Sequence, residues 1–131
     1  MGMYTEIYVN VDLREDTPRE VIKTLEAICN KDSESPYLVD KPLRWSYLFN
    51  SGSYYTPNTQ CAKLTFDPIS HQWSLLAKGD IKNYEGEIEE FFDWIKPYVK
   101  CRSEETFIGY KRYEEDCRPT NIYIDKSLVR Y

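Results

Sequence analysis

The sequence predicts a single α+β domain over residues 1–131, a mostly antiparallel sheet with two amphipathic helices packed on one face. Three observations carry that expectation. Apolar and polar residues alternate strictly near the N-terminus, two stretches repeat apolar residues at helical spacing, and the later alternating runs are separated by short turn-forming segments.

In chain order, Thr5, Ile7, Val9, Val11 and Leu13 alternate with Tyr4, Glu6, Tyr8, Asn10 and Asp12, the period-2 pattern of a strand with one apolar face. "TPRE" then signals a helix start: Thr17 is placed to cap, Pro18 suits the first helical position, and Glu20 would close a capping box. Val21, Ile22, Leu25, Ile28 and Cys29 follow at helical spacing and give way to the polar loop "NKDSESP". Arg44–Asn50 reads as a strand with Trp45, Tyr47 and Phe49 on one side and the turn "NSG" after it. Ala62, Leu64 and Phe66 form a further alternation. "DPISHQ" is a turn by composition, and Trp73, Leu75, Ala77 and Ile81 resume the period beyond it, which together predict an antiparallel hairpin.

"EGEIEEFFDWIKPYV" predicts the second helix. Ile88, Phe91, Phe92, Ile95 and Val99 form its buried stripe, Glu87, Glu89, Glu90 and Asp93 its opposite side, and Pro97 weakens the last turn. "TFIGYKRY" and "NIYIDK" read as strands around "EEDCRPT". The expected order is therefore β-α-β-β-β-α-β-β, near the ferredoxin-like group, with no internal repeat and no linker. The sheet face away from the helices is rich in tyrosine and tryptophan, so a second subunit is expected against it, giving a homo-oligomer.

Composition narrows the function classes. The chain is 41% hydrophobic with 3 Trp, 12 Tyr and 5 Phe, enough apolar area to fold without a metal or disulfides. A net charge of -5 disfavours nonspecific nucleic-acid binding and anionic membrane surfaces. No run of about 20 apolar residues and no signal-peptide pattern occurs, so a cytosolic protein with reduced thiols is expected. Cys29, Cys61, Cys101 and Cys117 are dispersed without a C-x-x-C pair, which suits neither zinc nor a redox motif.

No catalytic constellation emerges, and no enzymatic activity, cofactor or metal is expected. His71, the single histidine, sits in a turn with no G-x-S-x-G or comparable nucleophile signature. Glu114, Glu115 and Asp116 read as solvated turn acids. Neither a P-loop nor a dinucleotide fingerprint is present.

What remains is "RWSYLFNSGSYYTPNTQ". Its rings are interleaved with serine, asparagine and threonine, a composition that suits either core packing or a half-wet stacking site. On the second reading, Trp45, Tyr47, Tyr54 and Tyr55 stack on a flat ligand while Arg44, Arg112 and Arg118 hold phosphate.

The stretches "MYTEIYVNVDL", "PLRWSYLF", "IKNYEGEIEEFFDWIKPYV" and "FIGYKRYEEDCRPTNIY" span nearly the whole chain. Through them it resembles a group of small uncharacterised accessory proteins of tailed phages and prophages. The resemblance brings no catalytic residues; it implies a phage protein at work in bacterial cytoplasm against a host defence. Together with the rings and arginines, the expectation is a non-enzymatic protein that sequesters a small nucleotide-like immune signal. The alternative is an inhibitor acting by protein contact on a host defence complex, as an anti-CRISPR protein does.

Overall fold

The computed structural model describes residues 4–49, 61–83, 85–101 and 104–125. Among them, β1 (Thr5–Asp12) leads into α1 (Arg19–Cys29), two 3-10 turns (Pro36–Leu38 and Leu43–Tyr47), β2 (Cys61–Asp67) and β3 (Gln72–Ile81). Then come α2 (Glu87–Ile95), a 3-10 turn (Lys96–Tyr98), β4 (Glu105–Tyr113) and β5 (Thr120–Asp125). The five strands make one sheet in the order β2-β3-β1-β4-β5, every neighbouring pair antiparallel.

Two crossovers explain that order. The β1-α1-β2 unit leaves room for β3 between its strands, and the β3-α2-β4 unit leaves room for β1. Interlocked split units of this kind define the ferredoxin-like α+β arrangement, and β5 extends it at the β4 edge.

The alternation in β1 produces the two faces. Thr5, Ile7, Val9, Val11 and Leu13 are buried beneath the helices, as are Leu75, Ala77 and Ile81 of β3. Val21, Ile22, Leu25 and Ile28 of α1 and Ile88, Phe91, Phe92 and Ile95 of α2 close the core from the other side. Each such side chain contributes about 1.5–3 kcal/mol when fully buried, so the apolar stripe, rather than intrinsic helix propensity, orients each helix.

Three local expectations are corrected. Arg44–Asn50 does not form a strand as far as it is described, because Leu43–Tyr47 is a 3-10 turn. Pro42 precedes it with φ -53°, and the buried residues Trp45, Leu48 and Phe49 recur at i, i+3 and i+4, a helical rather than a period-2 spacing. Among the described residues the count of strands is accordingly five. Thr17 closes no capping box: its hydroxyl donates to the Arg14 carbonyl at 2.6 Å, and Pro18 is the residue that precedes the helix.

The acidic side expected on α2 is also divided. Glu87 is buried and accepts from the Glu85 N–H at 3.1 Å, and Glu89 accepts from Asn83 at 2.8 Å and pairs with Lys111 at 3.0 Å. Glu90 and Asp93 remain toward solvent.

Gly79 lets the segment after the 3-10 turn lie directly on the sheet. A Cβ there would run into the Leu48 carbonyl and the Phe49 Cα. Phe49 consequently meets Phe91 edge-to-face at 5.3 Å between centroids.

Candidate functional site

The stretch singled out in the sequence divides between core and surface. Trp45 is 2% exposed and packs edge-to-face against Phe91 at 5.5 Å and Trp94 at 5.3 Å. This corrects its expected role as a stacking platform, since the ring is enclosed against α2. Tyr47 is 45% exposed, with the Lys31 ammonium 5.4 Å from its centroid. Arg44 belongs to the same 3-10 turn, its side chain outside the description, and Tyr54 and Tyr55 lie outside the described residues.

The two remaining arginines lie elsewhere. Arg112 is opposite Glu6 in the β1–β4 register, so its side chain is on the face of the sheet away from the helices. Arg118 is exposed in the β4–β5 loop. Trp45 and Arg112 are thus on opposite sides of the sheet, and the set proposed from sequence does not form one site among the described residues.

The open face instead carries its own constellation, legible row by row from the register. One row runs Asp80, Glu6, Arg112; the next runs Lys78, Tyr8, Tyr110, Asn121; a third begins Leu76, Asn10 and continues on the outer strands as Phe107 and Tyr123. Tyr8 and Tyr110 stack on each other at 5.2 Å with 23° between planes, and Phe107 meets Tyr123 edge-on at 5.7 Å. Phe107 and Tyr123 are 42% and 44% exposed, so ring surface remains available there. Asn10 and Asn121 each donate to a phenol oxygen two residues along, on Tyr8 and Tyr123 at 3.3 and 3.4 Å.

The first row is electrostatically closed. Glu6 is only 4% exposed, and its carboxylate meets the Lys78 ammonium at 2.9 Å and Arg112 Nε at 3.7 Å. The hydrogen bond that Lys78 donates to Glu6 pushes the Lys78 pKa above its ordinary value, against the opposing effect of burial. Burial, with the Glu6 charge nearby, likewise pushes the Tyr110 phenol up. Arg112, expected as a phosphate grip, is therefore a partner of a buried carboxylate.

Between the ring pairs the sheet splits. β1 and β4 pair only as far as Val9↔Gly109, and a bulge between Phe107 and Gly109 shifts the register against β5. Ile108 turns into the core while Phe107 stays on the open side. On the far side of the gap, the Lys100 N–H donates to the Asp12 carbonyl at 2.8 Å and Leu13 bridges Val99. The gap is a cleft of about 230 Å³, walled by Asn10, Asp12, Lys100, Thr106 and Phe107 among others. Comparison with protein-family models, with curated proteins and with solved structures finds no match. The reading of this cleft therefore rests on its chemistry.

The cleft offers aromatic surface at one rim, an amide that donates and accepts, a hydroxyl, a carboxylate held by Ser74 Oγ at 2.6 Å, and a lysine. Among the described residues no three His, Cys, Asp or Glu side chains converge as a metal site, and no helix is long and apolar enough to cross a membrane. His71 is exposed at the tip of the β2–β3 hairpin with φ 55°, 6.1 Å from the Phe66 ring.

Sequence reasoning missed Tyr8, Asn10, Lys100, Phe107, Tyr110 and Tyr123 as a group. The available signal was the outward half of each alternating strand: Tyr8 and Asn10 in the first, Phe107, Tyr110 and Tyr123 in the last two.

Proposed function

We propose that the protein is a non-enzymatic binding protein that captures a small nucleotide-like ligand on the open face of its sheet, at the cleft between β1 and β4. The observation that supports this most is the pairing of exposed rings, Phe107 and Tyr123, with a polar cleft that contains Asn10 and Lys100. A base stacked on one ring gains about 1–3 kcal/mol. A charge-assisted contact from Lys100 adds about 1.5–3 kcal/mol. Micromolar affinity requires about 8 kcal/mol, so both ring pairs and the lysine have to engage together.

The setting proposed for this activity, sequestration of a host immune signal by a phage protein in bacterial cytoplasm, rests on the resemblance alone. The exposed rings and Leu76 also support the proposal that a second copy borders the site in a homo-oligomer. Calorimetry of the protein against cyclic nucleotides and ADP-ribose derivatives tests the binding. The expected result is saturable heat with at least one of them at micromolar protein, and recovery of the ligand intact after heat denaturation. No heat across that panel overturns capture; a chemically changed ligand overturns the non-enzymatic reading.

A second reading, inhibition by protein contact, is favoured by one observation. The β2–β3 hairpin tip presents Ile69 at 91% exposure beside Phe66 at 42%, an apolar knob of the kind that anchors interfaces. A stoichiometric protein recovered from bacterial lysate by the intact chain, and lost with Ile69→Asp, would favour it over ligand capture.

A further inference from the structure

The two edges of the sheet differ in what they can accept. β5 ends it on one side, with Asp125 as the only charge in the strand and a bulge in its pairing with β4. β2 ends it on the other. Its residues pair with β3 in unbroken register from Cys61↔Lys78 to Asp67↔Gln72, and no strand pairs with its outer side among the described residues. Lys63, Thr65, Phe66 and Asp67 are exposed along it. A regular edge of this kind is a template for another strand, which proteins ordinarily blunt with charge, proline or a bulge. β2 has no proline and no bulge, and its two charges are of opposite sign.

We infer that β2 is the contact through which two copies of this chain associate, pairing antiparallel about a two-fold axis at Thr65 and joining their sheets into one. The register follows from the side chains. With Thr65 opposite the partner's Thr65, each Lys63 falls opposite the partner's Asp67 and each Leu64 opposite the partner's Phe66. Lys63, Thr65 and Asp67 share the open face, because Ala62 and Leu64 oppose the buried Ala77 and Leu75 beneath the helices. The two ion pairs therefore form on the open face and the two Leu64–Phe66 contacts on the helical face, where Trp73 already packs beside Phe66 at 5.0 Å. Asp67 is held in place for its part. Its carboxylate accepts from the Ile69 N–H at 3.0 Å and from Ser70 Oγ at 2.9 Å, hydrogen bonds that hold its pKa below the ordinary value.

Neighbouring registers lose this complementarity. Centring on Lys63, or pairing the strands parallel in register, sets ammonium against ammonium. Centring on Leu64 leaves Lys63 opposite Thr65 and Asp67 opposite Cys61, and centring on Phe66 brings Pro68 into the ladder. The joined sheet keeps the helices of both copies on one side and leaves one continuous open face on the other. Because β3 separates β2 from the strands that border the cleft, the inference stands or falls apart from ligand capture and from the open-face contact between copies.

Sedimentation equilibrium of the intact chain at micromolar concentration tests it. A species of about twice the 15.6 kDa chain mass is expected. Lys63→Glu should weaken the association about tenfold with an unchanged circular dichroism spectrum, since the symmetry replaces two attractive pairs with two repulsive ones. Phe107→Ala should leave it intact. Oxidised glutathione should cross-link Thr65→Cys to its own partner copy, with the disulfide located at residue 65 by peptide mass. Lys63→Cys should not cross-link to itself, because this register sets residue 63 opposite Asp67. The inference is overturned by a monomer throughout the micromolar range, by association unaltered in Lys63→Glu, or by cross-linking of Lys63→Cys as readily as of Thr65→Cys. Association abolished by Phe107→Ala overturns it in favour of the open face.

Discussion

Gly79 and Trp45 account for most of the difference between the stretch as read in sequence and the stretch as folded. Gly79 gives up its Cβ so that the Leu48–Phe49 backbone can lie on the sheet, and Trp45 fills the space between that backbone and α2. Gly79→Ala is expected to lower stability by about 1–3 kcal/mol through overpacking against main chain that has no room to move; urea unfolding measures it. The burial of Trp45 was hidden in the sequence because the residue fits two periodicities. With Tyr47 and Phe49 it reads as a strand; with Leu48 and Phe49 it reads as a helical turn. Pro42 tips the choice locally, but the packing of Phe49 on Phe91, residues 42 positions apart, makes it binding, and no local window contains that contact.

At the scale of elements, α2 and the β1–β3–β4 core carry the clearest consequences. α2 is preceded by Gly86, a left-handed residue with φ 73° and no side chain to cap with, so the cap comes from outside. Asn83 accepts from the Ile88 N–H at 3.0 Å and donates to Glu89 at 2.8 Å. Burial pushes the Glu89 carboxyl up, but the Asn83 amide and Lys111 outweigh it and the net direction is down. Asn83→Ala is expected to cost about 1–2 kcal/mol, the upper part of the range for a lost N-terminal cap, with reduced helical ellipticity on heating.

In the strands, folding raises the pKa of both Lys78 and Tyr110. The native state therefore keeps these protons to higher pH than the unfolded chain, so their contribution is whole below about pH 10 and is lost as pH climbs through the folded values. Unfolding measured from pH 9 to 12 should show that decline, shallower in Glu6→Gln, which replaces the carboxylate that accepts from Lys78 with a neutral amide; a flat profile would contradict it. The strands and helices were legible because each keeps one strict period over a long run. The cap at Asn83 was not, because the hydrogen bond crosses a turn that composition alone does not orient.

For the whole molecule, the ferredoxin-like topology was legible from element order, and the site was not. The cleft exists because β1 parts from β4 beyond Val9, so that the part of β4 before Gly109 is unpaired with it, and chain from Val99 onward returns to Asp12, an event of pairing between strands about 100 residues apart. Hydrophobic pattern fixes which side chains share a face; it does not fix where two strands part. The rings on that face were visible one by one, but their meeting as Tyr8 with Tyr110 and Phe107 with Tyr123 needed the register. The test that bears most directly on the open face is NMR shift mapping during titration with AMP, a probe that carries one base and one phosphate. Shifts should concentrate at Tyr8, Asn10, Lys100, Phe107, Tyr110 and Tyr123, and Phe107→Ala should weaken binding about tenfold, the loss of one stack. Shifts confined to Tyr47–Tyr55, or none at millimolar AMP, would contradict the assignment of the open face as the binding surface.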